Sequence, residues 1–332
     1  MAVAIALLGA ALAAAGCGLG PGADVGSVQL TVTREFGREQ VLQRSLQAKE
    51  SDTVMRATEG SAEVETRYGG GFVHSIDGLA EGEHGGDPYD WFFFVDGVES
   101  PVGAADVELK GRERVWWDYR DWKATDHVPA VVGSWPAPFI DGVAGKRYPV
   151  LLECANEKRG SLVVSGTTKE PQVAWGAACV EAQAALEREG VALASGSPHG
   201  AIRVLVGPWD QLREDPAAQL LEDGPAESGI YADFKPIARL TRHSGHREPT
   251  AAPSYALVAL REDGAPGQLL GADAGLVAAT SRYGGPPVWL VTGGTAAAVR
   301  EAADALDEEH LRDHYAVAIE DGKAMPLPEA GR

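Results

Sequence analysis

The chain has 332 residues, room for about two domains of ordinary size. Apolar residues make up 45% and charged residues 23%, a globular balance that excludes wholesale disorder. With 29 basic residues against 48 acidic, the net charge is −19, which excludes the basic footprint of a nucleic-acid binder and a polybasic grip on anionic lipid.

Residues 1–16 form an apolar run that ends in small residues before Cys17, the pattern of a secretory signal peptide. The ending Ala14-Ala15-Gly16-Cys17 resembles a bacterial lipobox, which implies a lipidated Cys17 as the first mature residue. The run departs from that pattern in carrying no Lys or Arg before Arg34. Residues 17–26, with Gly18, Gly20, Pro21 and Gly22, read as a tether. The expected location is extracytoplasmic, with membrane attachment through the lipid anchor only. No later apolar run approaches the ~20 residues needed to span a bilayer. Cys154 and Cys179 then remain as an even pair, which outside the cytosol reads as a disulfide; two separate buried thiols are the alternative.

Residues 27–34 alternate with period two and predict a strand, with a second around 39–47. Ser51-Asp52-Thr53 offers caps for a short helix through Val54, Met55 and Ala57. Strands are expected at Glu63–Tyr68 and Phe72–Ile76, separated by Gly69-Gly70-Gly71. Trp91-Phe92-Phe93-Phe94-Val95 runs into the tight-turn signal Asp96-Gly97, and Val115–Tyr119 forms another strand. Residues 123–147, punctuated by prolines and glycines, read as a linker or long surface connection. From Tyr148 strands and helices alternate. Strands are expected at 149–153, 202–206, 230–234, 255–261, 288–291 and 315–319, and helices at 173–189, 211–221 and 295–306. The expected fold is α+β: a small β-rich domain over 27–122, an α/β domain over 148–322 and a tail over 323–332.

Alternate residues of a strand face opposite sides. Trp91, Phe93 and Val95 therefore share one face, and Phe92 and Phe94 the other; Val115, Trp117 and Tyr119 oppose Trp116, Asp118 and Arg120. A domain this small buries one aromatic face. The second is either a platform for a flat ligand or partner, or a surface that a loop or the second domain covers.

The order Tyr68-Gly-Gly-Gly-Phe-Val-His-Ser-Ile-Asp-Gly-Leu79, Asp90-Trp-Phe-Phe-Phe-Val-Asp-Gly-Val98, Gly103-Ala-Ala-Asp106 and Val115-Trp-Trp-Asp-Tyr119 resembles the transcobalamin-like C-terminal domain family over about residues 27–122. The stretch Leu109–Arg114 departs from that family's usual Gly-Asp. The resemblance implies a β-grasp-like ligand-binding fold. In transcobalamin and intrinsic factor the equivalent domain closes over cobalamin against a helical barrel, which residues 148–332 here have no helix content to supply. Carried over by position, Gly70, Gly71, Phe72 and Trp91 match the ligand-proximal motifs, and Trp117 and Tyr119 the final strand. Turn geometry and core packing are the alternative roles for these six residues.

Other constellations carry less. Thr292-Gly293-Gly294-Thr295 lies between a strand and a helix but lacks the Lys and spacing of a phosphate loop. His243 and His246 are flanked by arginines, and His310 and His314 lack a third ligand, so no metal site is expected. No nucleophile elbow or His-Glu-x-x-His motif occurs, and an enzyme is not expected. The functional expectation is an exported, lipid-anchored binding protein. It would have no covalent cofactor and would capture cobalamin, a related corrinoid or another bulky planar ligand, with a helical-barrel partner and a membrane uptake transporter. The alternative is a cell-envelope protein–protein interaction module with no small-molecule ligand.

Overall fold

The computed structural model describes residues 22–156, 161–164, 176–237, 240–243, 246–249, 254–282 and 284–331. The signal peptide and residues 17–21 of the expected tether, Cys17 included, lie outside these residues, whereas Asp24–Gly26, also expected in the tether, open the first strand, which pairs with the second from Asp24 on.

The first domain begins with the antiparallel hairpin β1 (Asp24–Arg34) and β2 (Glu39–Lys49). Helix α1 (Val54–Glu59) follows, with Thr53 accepting the Arg56 N–H as its cap, and it buries Val54, Met55 and Thr58. Strands β3 (Val64–Arg67), β4 (Phe72–Ile76) and β5 (Leu79–Ala80) make a small separate sheet. Strands β6 (Gly82–His84), β7 (Asp87–Val95), β8 (Val98–Glu99) and β9 (Arg114–Asp121) complete the main sheet, in the order β2-β1-β9-β7-β6 with β8 also on β7. The closing strand β9 runs parallel to β1 and antiparallel to β7. A hairpin, a helix and a returning central strand give the β-grasp-like arrangement expected from the sequence.

The two faces of this sheet have different fates. One packs on α1 and on the loops around it: Val28, Leu30, Val32, Trp91, Phe93, Trp117 and Tyr119 form a core there. The Trp117 indole N–H donates to Thr58 Oγ1 at 3.0 Å, which satisfies its polar edge. The opposite face is covered along its aromatic half by the rest of the chain.

Residues 123–147 are not a surface connection. Val128, Ala130, Val131, Val132, Trp135 and Phe139 are buried, and α2 (Ala137–Ile140) forms within the segment. Its backbone is hydrogen-bonded to both halves: the Val131 N–H donates to Gly97 O and the Val132 N–H to Tyr315 O. Prolines and glycines erased the periodicity that marks buried segments, while the spent N–H groups made burial tolerable.

The second half contains β10 (Val150–Asn156), β11 (Ser161–Val164), α3 (Gly176–Arg188), β12 (Ile202–Pro208), α4 (Trp209–Leu212) and α5 (Pro225–Ser228). Next come β13 (Ala232–Ile237), β14 (Leu240–His243), β15 (His246–Pro249), β16 (Ser254–Leu260), β17 (Pro266–Gly271), β18 (Gly275–Thr280) and β19 (Val288–Gly293). The chain closes with α6 (Ala296–Asp304), α7 (Glu308–Leu311), β20 (Ala316–Glu320) and β21 (Lys323–Leu327). Seven strands form one sheet in the order β11-β10-β12-β19-β18-β20-β21, with β10, β12 and β19 parallel. Helices α3 and α6 pack into the core on one face through Ala182, Leu186, Val299 and Ala302. The other face meets β13 and β16 and, through Phe36, Phe94 and Trp116, the first domain.

Two expectations change here. The helix expected over 211–221 is α4 plus a short 3₁₀ turn at Ala218–Leu221, because Pro216 has no N–H to continue it. On α3 the inward residues are Ala178, Ala182, Ala185 and Leu186, whereas Val180 is 63% exposed. The expected tail forms β21, pairing with β20 and burying Leu327. The disulfide is present: Cys154 on β10 joins Cys179 on α3, with the two Cα atoms 6.0 Å apart.

Candidate functional site

The main sheet of the first domain has a gap in one edge. Strand β6 pairs with Asp87–Tyr89 and β8 with Phe94–Val95, so among the described residues Asp90–Phe93 of β7 have no strand partner on that side. The gap opens into a groove of about 230 Å³. Gly71, Phe72 and Val73 form one wall, Ser100, Gly103 and Ala104 another, and Trp91, Phe93 and Trp117 also line it. Four of the six residues singled out in the sequence, Gly71, Phe72, Trp91 and Trp117, therefore meet in one groove.

Local backbone geometry sets the walls. Tyr68, Gly69 and Gly70 all have left-handed φ (53°, 78° and 96°), so the chain doubles back before β4 and delivers Phe72 to the groove. Gly70 shapes this turn without lining the groove. A Cβ on Gly103 would lie 2.9 Å from Gly71 O, so only glycine lets the two walls come this close. Tyr119 lies outside the lining; its hydroxyl donates to Ala80 O at 2.7 Å and sits 2.7 Å from His84 Nε2.

Two carboxylates line the groove. Asp90 Oδ1 accepts the Trp91 N–H at 2.7 Å, and burial nevertheless pushes the Asp90 pKa up to about 6. Glu99 Oε2 accepts the Val128 N–H at 2.5 Å and lies 3.2 Å from His127 Nδ1, whose pKa it raises. The Trp91 indole N–H donates to Leu79 O at 2.9 Å. Asp90, Ser100 and Gly103 were absent from the residues expected at the site. Asp90 and Gly103 stand inside the quoted motifs, but only the interrupted pairing of β7 brings them together.

The outer aromatic face is filled by the chain itself. Tyr315 packs edge-on against Trp116 and Phe94 with ring centroids 5.4 and 5.5 Å apart, and Phe36 packs against Tyr231 and Tyr315 at 5.3 and 5.2 Å. Asp118 is fully buried in this seam. Its Oδ1 accepts the Thr33 hydroxyl at 2.6 Å and the Gly37 N–H at 3.1 Å, and its Oδ2 accepts the Tyr315 hydroxyl at 3.0 Å. The Trp116 indole N–H donates to Thr33 Oγ1 at 2.7 Å, and the buried Arg120 guanidinium stacks 3.7 Å from the Phe92 ring centre. Arg114–Glu308 and Arg38–Glu262 ion pairs cross between the halves. A Cβ on Gly133 would lie 2.7 Å from His314 N and 2.8 Å from the Trp116 ring, which shows how closely the seam is packed. Trp122, at the rim, stays 39% exposed.

The remaining motifs are structural where they are described. A Cβ on Gly294 would strike the Tyr255 carbonyl, and Thr295 both caps α6 and bonds the Asp273 carboxylate, so the turn holds a carboxylate rather than an open cradle. His243 and His246 pair in register between β14 and β15. His310 bonds Asp307, while His314 is half-buried beyond the end of α7, where desolvation lowers its pKa. Among the described residues no group of three His, Cys, Asp or Glu could hold a metal ion, and no helix is long and apolar enough to cross a membrane.

Against known proteins, residues 51–121 match a family described as "Domain of unknown function (DUF4430)". The match spans α1 through β9 and so contains the whole groove. No curated protein matches the chain.

Proposed function

We propose that the chain is an exported, lipid-anchored binding protein whose first domain captures one edge of a bulky planar ligand, a corrinoid such as cobalamin being the expected class. The observation that carries this reading is the groove in the edge of β7, walled by Phe72, Trp91 and Trp117. A volume of about 230 Å³ takes an edge or substituent of such a molecule and leaves the rest outside. A partner chain with a helical barrel would cover that exposed remainder, and an uptake transporter would receive the ligand. The Cys154–Cys179 bridge supports an oxidising compartment, and a lipid on Cys17 would hold the groove near the membrane.

The test is calorimetric titration with cyanocobalamin, comparing the wild type with Phe72→Ala. Phe72 is half-buried at the groove wall, so its removal spares the core. Saturable heat that weakens about tenfold in the variant, roughly the value of one lost aromatic contact, supports capture. Equal binding by both proteins moves the ligand elsewhere, and no binding turns the reading to protein–protein contact. That second reading draws on Trp116 and Phe94, whose burial within the chain accounts for much of the aromatic surplus without a ligand.

A further inference from the structure

Arg120 on β9 is the one basic side chain that is buried among the described residues, and it is fully so. Its Nη1 donates to the Asp121 and Thr125 carbonyls at 3.2 and 2.8 Å. Its Nε and Nη2 are buried as well and have no hydrogen-bond partner among the described residues. Asp118, on the same strand face, gives its oxygens to Thr33, Gly37 and Tyr315 instead. Asp90 and Asp121 feel the Arg120 charge, as Asp118 does, yet burial raises the pKa of all three carboxyls. A desolvated guanidinium with half its donors idle is costly, so the idle half marks a place for an acceptor.

The idle pair also sets the shape of that acceptor. Nε–H and Nη2–H form a parallel fork that matches two oxygens of one planar group. Arg34, Arg203 and Arg213 use the same two nitrogens to grip the carboxylates of Glu39, Glu153 and Glu222. A further donor is close by. The Tyr231 hydroxyl is buried without a partner, and Tyr231 and Arg120 pack on the same Phe36 ring, 5.3 and 5.8 Å from its centre.

We propose that the Arg120 fork binds a small planar oxyanion of the carboxylate class in the seam between the two halves, with the Tyr231 hydroxyl donating to it as a third contact. The site is separate from the groove, whose lining includes neither Arg120 nor Tyr231. Arg120 belongs to the first domain and Tyr231 to the second half, so the bound anion ties the halves together. It therefore stabilises the fold by binding the assembled seam and not the unfolded chain.

The test is NMR titration of the 15N-labelled full chain with sodium formate in a carboxylate-free buffer, following the Arg120 Nε–H resonance, with sodium chloride at equal ionic strength as the control. The expected result is a saturable downfield shift with formate and none with chloride. Tyr231→Phe, which keeps the ring and its packing, should weaken formate binding about tenfold, the worth of one hydrogen bond to a charged group. Formate should raise the thermal midpoint of the wild type above that in chloride and lose this effect in Arg120→Lys, which keeps the charge without the fork. An Nε–H unmoved by formate overturns the site, and equal shifts with chloride overturn the planar class. Unchanged affinity in Tyr231→Phe overturns the third contact.

Discussion

Asp118 offers a direct readout of how the two halves meet. The Phe36–Gly37 turn of the first domain and Tyr315 from the second half together close over it. Burial raises its pKa from 3.8 to about 6, against the hydrogen bonds that favour the charged form. The folded state therefore holds this proton after the unfolded chain has released it. The contribution to stability is complete below about 3.8 and is lost as pH rises through about 6. Two pKa units at 1.36 kcal/mol each put the loss at about 3 kcal/mol. Asp118→Asn keeps an acceptor for Thr33 and Gly37 and lets Tyr315 turn from donor to acceptor, and it removes this titration. Urea unfolding of both proteins between pH 4 and pH 8 is the assay. The stability difference should move in favour of the variant by about 2–3 kcal/mol across that range, most of it below pH 7. In the wild type the Asp118 carboxyl carbon should titrate near 6. A difference that stays flat with pH, with the carboxyl titrating near 4, would refute the burial argument and with it the described seam.

Trp116→Ala should cost about 3–5 kcal/mol in denaturant unfolding, because the ring is packed by residues from both halves; a loss below 1 kcal/mol would mean the seam is loose. Arg203 pairs with Glu153 and Asp215, all largely buried, so Arg203→Met should destabilise by about 3–5 kcal/mol by leaving two carboxylates unpaired. Replacing Cys154 and Cys179 together by alanine releases a loop closed across 25 residues, and the urea midpoint should fall by the equivalent of about 3 kcal/mol. Gly103→Ala should push the two groove walls apart and weaken cyanocobalamin binding several-fold in calorimetry while the melting temperature changes little.

What was legible in the sequence follows from which signals are local. The alternation of β1 and the aromatic strands β7 and β9 survived into the structure because each has one face in a core. The cap at Thr53 and the stop at Asp96-Gly97 are set by neighbours in sequence. The buried strap 123–147 and strand β21 were not legible, because their burial depends on partners far along the chain. At the site, residue types were readable but their assembly was not. Gly71, Phe72, Trp91 and Trp117 converge because β6 and β8 stop short along β7, and no residue marks where pairing will stop. The second aromatic face had two open explanations. Tyr315, Tyr231 and Phe36 decide for coverage by the chain itself at Trp116 and Phe94.

Hydroxyl-radical footprinting with and without cyanocobalamin tests both halves of this arrangement at once. Trp116 should stay unreactive in either state, because residues of the same chain cover it. Tyr68, 88% exposed beside Phe72 with ring centroids 6.2 Å apart, should react in the free protein and be protected together with Phe72 when the ligand is present. Labelling of Trp116 as strong as that of Trp122 in the free protein would contradict the covered seam, and unchanged labelling of Phe72 at saturating ligand would contradict the assignment of the groove as the binding site.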